Sequence, residues 1–175
     1  MYQNLLALFL LLSINLVYGQ ETRLETILQK GHSKFVTCAD FHPSGEFVVT
    51  GGYDNAIILW NLKSGKEIRV YNRHTASIWS VDFSMDGNQI LSSSADQSIK
   101  LFNTRTGDLI HSMPFPKDDI RQAYFSYNGQ HIIGLSNRDG LFVFDRISGK
   151  LIGNFKKEYG IGQYQYKRYA IQYRI

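Results

Sequence analysis

His74, Ser92 and Asp96 have the residue types of a charge-relay triad, in which an acid orients an imidazole that takes a proton from a hydroxyl. His32, Thr50 and Asp54 offer the same functions forty-two positions earlier. An active site normally occurs once, whereas this set recurs with a fixed period. Ser92 also lacks the Gly-x-Ser-x-Gly elbow that lifts a nucleophile out of a strand. The pattern points instead to a closed structural network, in which acid holds imidazole and imidazole bonds hydroxyl.

Metal chemistry finds little material. Among His32, His42, His74, His111 and His131, no two stand three to five positions apart. The single cysteine, Cys38, excludes an intrachain disulfide and a thiolate cluster, and reads as a small buried apolar residue. Gly51-Gly52 and Gly160-Ile-Gly162 lead into no strand-loop-helix with a lysine, so they read as turn glycines rather than phosphate loops. No catalytic residue, no cofactor and no metal is expected.

The elements that must position these residues repeat as they do. Gly51-Gly-Tyr-Asp54-Asn-Ala-Ile-Ile-Leu-Trp60-Asn61 returns as Ser93-Ser-Ala-Asp96-Gln-Ser-Ile-Lys-Leu-Phe102-Asn103, and again as Leu135-Ser-Asn-Arg138-Asp-Gly-Leu-Phe-Val-Phe144-Asp145. Val36, Ala39 and Phe41 return as Ile78, Val81 and Phe83, then as Ile120, Ala123 and Phe125. Turns at Gly45, Gly87 and Gly129, and at Gly65, Gly107 and Gly149, keep the same period. Each unit therefore reads as four short strands joined by tight Gly, Asn, Asp and Ser turns, with the third strand of the first unit at Ala56 to Trp60. A small twisted sheet cannot bury both faces alone, so such units are expected to stack.

Composition agrees with an all-β chain: 15 Gly, 11 Tyr and 11 Phe against 3 Pro favour strands and tight turns. The net charge of +4 sits entirely in residues 156–175, and the first 155 residues balance at 14 basic and 14 acidic side chains. A neutral body presents no basic face to a phosphate backbone, so no nucleic-acid partner is expected.

The period, the Gly31-His32 and Trp60-Asn61 landmarks and the four-strand rhythm resemble WD40 repeats. The resemblance implies a partial WD40-type β-propeller of about three four-stranded antiparallel blades, at residues 31–72, 73–114 and 115–157. It also implies that residues 20–30, with Arg23 to Leu28 at their centre, form an N-terminal strand that ties a ring shut. The family's structural tetrad falls on His32, Thr50, Asp54 and Trp60 in the first unit. In the second it falls on His74, Ser92, Asp96 and Phe102, where the indole donor is lost. In the third the same columns hold Pro116, Gly134, Arg138 and Phe144, and the network is expected to be absent. The first unit thus reads as the most fully specified, and Asp54→Ala is expected to cost more stability than Asp96→Ala.

Met1 to Gly19 contains no charged side chain, and the apolar run Leu5 to Val17 is too short to span a bilayer comfortably. It reads as a signal peptide over residues 1–19, which places the protein as secreted or periplasmic, with no membrane span after cleavage. Residues 158–175 form a basic, Tyr-rich tail that breaks the repeat. Closed propellers need about four to eight blades. Three units therefore suggest a fragment of a longer protein, or self-assembly through an open blade edge.

The resemblance implies a non-catalytic scaffold that binds other proteins. Phe35, Tyr53, Trp79 and Arg121, in columns that vary between units, are the candidate contacts. The alternative is the propeller portion of a larger enzyme, such as a peptidase. A channel-lining sensor would require polar residues on the inner strands, and Asp40, Asp82 and Tyr124 are the candidates there.

Overall fold

The structure is a computed structural model and describes residues 31–115, 120–136 and 140–155. The expected signal peptide, the tying strand at 20–30, the columns at Pro116 and Arg138 and the tail at 158–175 lie outside the described residues. The described chain is all-β, with twelve strands. The first sheet is β1 (Val36–Phe41), β2 (Phe47–Gly52), β3 (Ile57–Asn61) and β4 (Glu67–Tyr71). The second is β5 (Ile78–Phe83), β6 (Gln89–Ser94), β7 (Ser98–Asn103) and β8 (Leu109–Pro114). The third is β9 (Ile120–Phe125), β10 (His131–Ser136), β11 (Gly140–Asp145) and β12 (Leu151–Phe155). Each is a four-stranded antiparallel meander with its strands in chain order. The strand at Ala56 to Trp60 lies one residue later than expected, because Ala56 closes the turn by accepting the Gly52 N–H.

Local sequence explains the turns. Asn55 and Gln97 take left-handed backbone angles between the second and third strands of their blades, a conformation Asn tolerates well. After the third strand, Asn61, Asn103 and Asp145 each turn the chain with a side-chain oxygen. These oxygens accept the Ser64, Thr106 and Ser148 N–H groups at 2.9, 2.9 and 2.8 Å. Gly87 is required twice over. Its φ is +70°, and the His42 ring of the preceding blade occupies the space a Cβ would take.

The strands β1, β5 and β9 pack side by side, and the sheets radiate from them like blades from a hub. The cores therefore lie between sheets. Val49, Ile57, Leu59 and Tyr71 of the first interlock with Ile78, Val81, Phe83, Ile90 and Phe102 of the second. Leu91, Ile99, Leu101, Met113 and Phe115 do the same with Ile120, Ala123, Ile132, Phe142 and Phe144 of the third. Phe115 sits edge-on to Phe142 and Phe144, at centroid distances of 4.6 and 5.4 Å.

Polar staples tie neighbouring sheets at two radii. Near the hub, Asp40 accepts the Phe83 N–H at 2.7 Å and Asp82 accepts the Phe125 N–H at 3.0 Å. Thr37 donates to the Ile78 carbonyl, and Ser80 accepts the Ala123 N–H. Toward the rim, Arg69 donates to the Arg105 carbonyl at 2.9 Å and the His111 ring bonds the Ile147 carbonyl at 2.7 Å. Asp40 and Asp82 share one column of the repeat, as do Arg69 and His111, so the period encodes these contacts between blades as well as the blades.

Candidate functional site

The two repeated His/hydroxyl/Asp sets are closed networks. In the first blade His32 Nδ1 lies 2.9 Å from Asp54 Oδ1, and Nε2 lies 2.8 Å from Thr50 Oγ1. The Trp60 indole N–H donates to the same Thr50 oxygen at 2.8 Å. Asp54 also accepts the Ser33 and Ala56 N–H groups at 2.7 and 3.3 Å. Burial alone would raise its pKa, and these bonds, led by that from His32, outweigh burial and lower it. Gly52 makes room for the pair, since a Cβ there would stand 2.6 Å from His32 Nδ1 and 2.7 Å from Asp54 Oδ1.

In the second blade His74 Nδ1 lies 2.8 Å from Asp96 Oδ2, and Nε2 lies 2.7 Å from Ser92 Oγ. Ser92 is wholly buried, so no substrate reaches its hydroxyl. Burial lowers the His74 pKa despite Asp96 beside it, and the neutral ring donates from Nδ1 and accepts at Nε2. Phe102 supplies no donor, as expected. Two residues the sequence reading missed replace it. Ser98 donates to Asp96 Oδ1 at 2.5 Å, and Lys100 Nζ lies 3.3 Å from Asp96 Oδ2 and 2.7 Å from Ser98 Oγ. Their signal was the alternation of Ser98 and Lys100, which puts both on one face of β7 just after the turn that carries Asp96. Bonds from His74 and Ser98 overcome the desolvation of Asp96 and hold its carboxyl well below the usual range.

The partners of the two acids argue for the reverse of the expected stability ranking. Asp96 has the fuller set of partners, and the second blade is packed on both faces by neighbours. The third blade drops the polar column, with Gly134 in place of the hydroxyl residue. Ile99 of the second blade stands 2.6 Å from where a Gly134 Cβ would be.

The candidate partner contacts share one end of the strands and touch in sequence. Phe35 precedes β1, Tyr53 lies in the β2–β3 turn, and Trp79 and Arg121 stand second in β5 and β9. The Phe35 and Tyr53 rings meet edge to face at 6.4 Å, and Tyr53 and Trp79 at 5.9 Å. The Arg121 guanidinium lies 4.0 Å from the Trp79 ring centroid, a cation–π arrangement. Four residues from three blades thus form one continuous row. Phe35 is 79% exposed and Tyr53 39%, while Trp79 is half-buried between its neighbours rather than free-standing. The Trp79 indole Nε1 is buried without a hydrogen-bond acceptor among the described residues.

The backbone explains why this column is special. Pairing slips at Thr37, Trp79 and Arg121, each the extra residue opposite a shortened register on the second strand. Such a bulge frees a side chain from the alternation of the sheet and re-aims it. A repeat can therefore vary this column without disturbing the core.

Asp40, Asp82 and Tyr124 occupy equivalent places on the inner strands, and the two carboxylates are committed to backbone N–H groups of the next blade. Burial, with Asp40 as a like charge nearby, pushes the Asp82 pKa up to about 7. Among the described residues no group of three His, Cys, Asp or Glu side chains could hold a metal, and no helix is long and apolar enough to cross a membrane.

The family model described as "WD domain, G-beta repeat" matches residues 23–61 and 65–103. The chain is also similar to Periodic tryptophan protein 2 of Arabidopsis thaliana, with 30% identity over 63 residues. That match covers 36% of this chain and 7% of the plant protein.

Proposed function

We propose, from the premise that this chain carries WD40 repeats, that it is a non-catalytic scaffold whose aromatic row docks another protein outside the cytoplasm. The observation that carries this reading is the continuity of Phe35, Tyr53, Trp79 and Arg121 across three blades. Aromatic and arginine side chains are the residues that most often anchor protein interfaces. Here bulges present two of them, and three tightly stapled sheets hold all four in place. The mechanism is rigid display: the partner orders itself on a surface that has no ordering cost left to meet. Export rests on the uncharged, apolar segment from Met1 to Gly19.

The first and third sheets each leave apolar side chains exposed, among them Val36 and Phe41 on one and Leu151, Ile152 and Phe155 on the other. These faces suit further blades, from the same array or from a second copy, because stacked repeats bury such faces against one another.

Affinity capture on the full chain tests the docking surface. Trp79→Ala and Tyr53→Ala are each expected to weaken capture of the same protein by about tenfold or more. Met85→Ala, at an exposed residue on the opposite end of the strands, is expected to leave capture unchanged. Equal loss in all three variants, or none in the first two, would move the docking surface elsewhere.

A further inference from the structure

The two junctions between blades differ at one place, on the end of the strands away from the aromatic row. At the second junction Arg146 of the third blade crosses to the second, and its Nη1 donates to Gln89 Oε1 at 3.1 Å. At the first junction the same two columns hold Thr104 and Phe47. Threonine is too short to cross, and the Phe47 side chain has no acceptor to meet it. A hollow of about 430 Å³ opens there, with Phe47 and Thr104 in its walls, and its volume is within the range of small-molecule sites.

The walls are of two kinds. Phe47, Leu59 and Ile68 of the first blade supply an apolar side, on which half of Ile68 is exposed. The β7–β8 turn of the second blade supplies a polar side, with Asn103, Thr104 and Arg105. Arg69 also lines the hollow and is committed to the Arg105 carbonyl. The Arg105 guanidinium is different: it is exposed and makes no ion pair among the described residues. Arg105 stands in the column of Ile147, so the fold itself asks for no charge there. No acid lines the hollow among the described residues. Two polar atoms of its lining residues, Arg69 Nε and Thr104 Oγ1, are buried with no hydrogen-bond partner among the described residues. Buried polar atoms as a rule have partners, and an occupant that carries oxygens supplies them.

We propose that this hollow is a ligand site for a small apolar carboxylate. The carboxylate pairs with the Arg105 guanidinium, whose fork of donors matches it through two parallel hydrogen bonds. The apolar body of the ligand packs on Phe47 and Ile68 and covers surface that the first blade leaves exposed. A free acid and the last residue of a peptide with an apolar side chain share this chemistry. The site is separate from the docking surface proposed above and does not depend on it.

The test titrates phenylpropionate into the full chain and reads binding by saturation-transfer NMR. Phenylpropanamide is the neutral control, and a short peptide ending in phenylalanine with a free carboxylate is the chain-end probe. Phenylpropionate is expected to bind with a Kd of about 1 mM or tighter, and at least about tenfold more tightly than the amide. Arg105→Gln, at an exposed side chain whose loss leaves the fold intact, should remove that preference. The double variant Phe47→Gln/Thr104→Arg copies the second junction and should abolish binding of the acid while circular dichroism stays native. Tighter binding of the peptide than of phenylpropionate would assign the site to a chain end, and the reverse would assign it to a free acid. Equal binding of acid and amide, or binding of the acid unchanged in Arg105→Gln, would overturn the site. So would the lack of any saturation transfer to phenylpropionate at several times the expected Kd.

Discussion

Asp96→Ala is expected to lower the unfolding free energy by about 3–5 kcal/mol, against about 1–2 kcal/mol for Asp54→Ala. Removing the Asp96 carboxylate strands the Nδ1–H of a fully buried imidazole and takes partners from Ser98, the Thr75 N–H and the Lys100 ammonium. A cation left beside an unpaired donor in a packed blade is among the costly outcomes of a point substitution. Asp54 has fewer charged neighbours. Its backbone donors at Ser33 and Ala56 lie in turns where water can replace a carboxylate. Both acids have pKa values lowered in the folded state, so their contribution is full above the unfolded value of 3.8 and drains away as pH falls. Matched urea curves at neutral pH decide the order. Equal costs, or a larger cost for Asp54→Ala, would show that Ser98 and Lys100 add nothing to the network.

Asp82→Asn is expected to stabilise the protein at pH 8, by roughly 2–4 kcal/mol, and to lose that advantage toward pH 4. Asp82 has the opposite linkage to Asp96. Its folded pKa of about 7 stands above the unfolded 3.8, so between those values the native state holds a proton that the unfolded chain has released. The favourable contribution is complete below 3.8, falls as pH rises to about 7, and is absent beyond it. The groups facing this carboxyl are Asp40, which repels its charge, and Tyr124, whose own pKa is raised by burial and by Asp82. Asparagine keeps an oxygen to accept the Phe125 N–H and carries no charge to desolvate. A variant no more stable than the parent at pH 8, or equally stabilised at pH 4, would show that the ionised form is not the penalised one.

Much of the fold was legible because the chain states it three times. The glycines at 45, 87, 129 and at 65, 107, 149 all adopt left-handed angles, as turn glycines at a fixed period should. The first-blade tetrad was legible for the same reason, since His32, Thr50, Asp54 and Trp60 are residue types that must pair when buried. What a linear pattern hides is how far a side chain reaches. Lys100 stands in the column of Ile58, and only the fold shows its stem running along the strand to an acid four positions back. The column of Asp40 and Asp82 looked like lining for a ligand channel, and in the fold both carboxylates accept a backbone N–H of the next blade. Variation at Trp79 and Arg121 marked a permissive column. That they touch depends on bulges on adjacent inner strands, and no residue type announces a bulge.

Rigid display requires three blades that behave as one body, and the two tryptophans allow that to be measured. Trp60 reports the first blade, and Trp79 reports the junction of all three. Urea unfolding is followed by fluorescence in Trp79→Phe, where Trp60 is the reporter, and in Trp60→Phe, where Trp79 is, each against its own far-ultraviolet circular dichroism. In both variants the fluorescence and dichroism curves are expected to coincide, as a single cooperative transition requires. A Trp79 signal lost well before the dichroism would mean that the row loosens while the sheets persist, and would contradict the account.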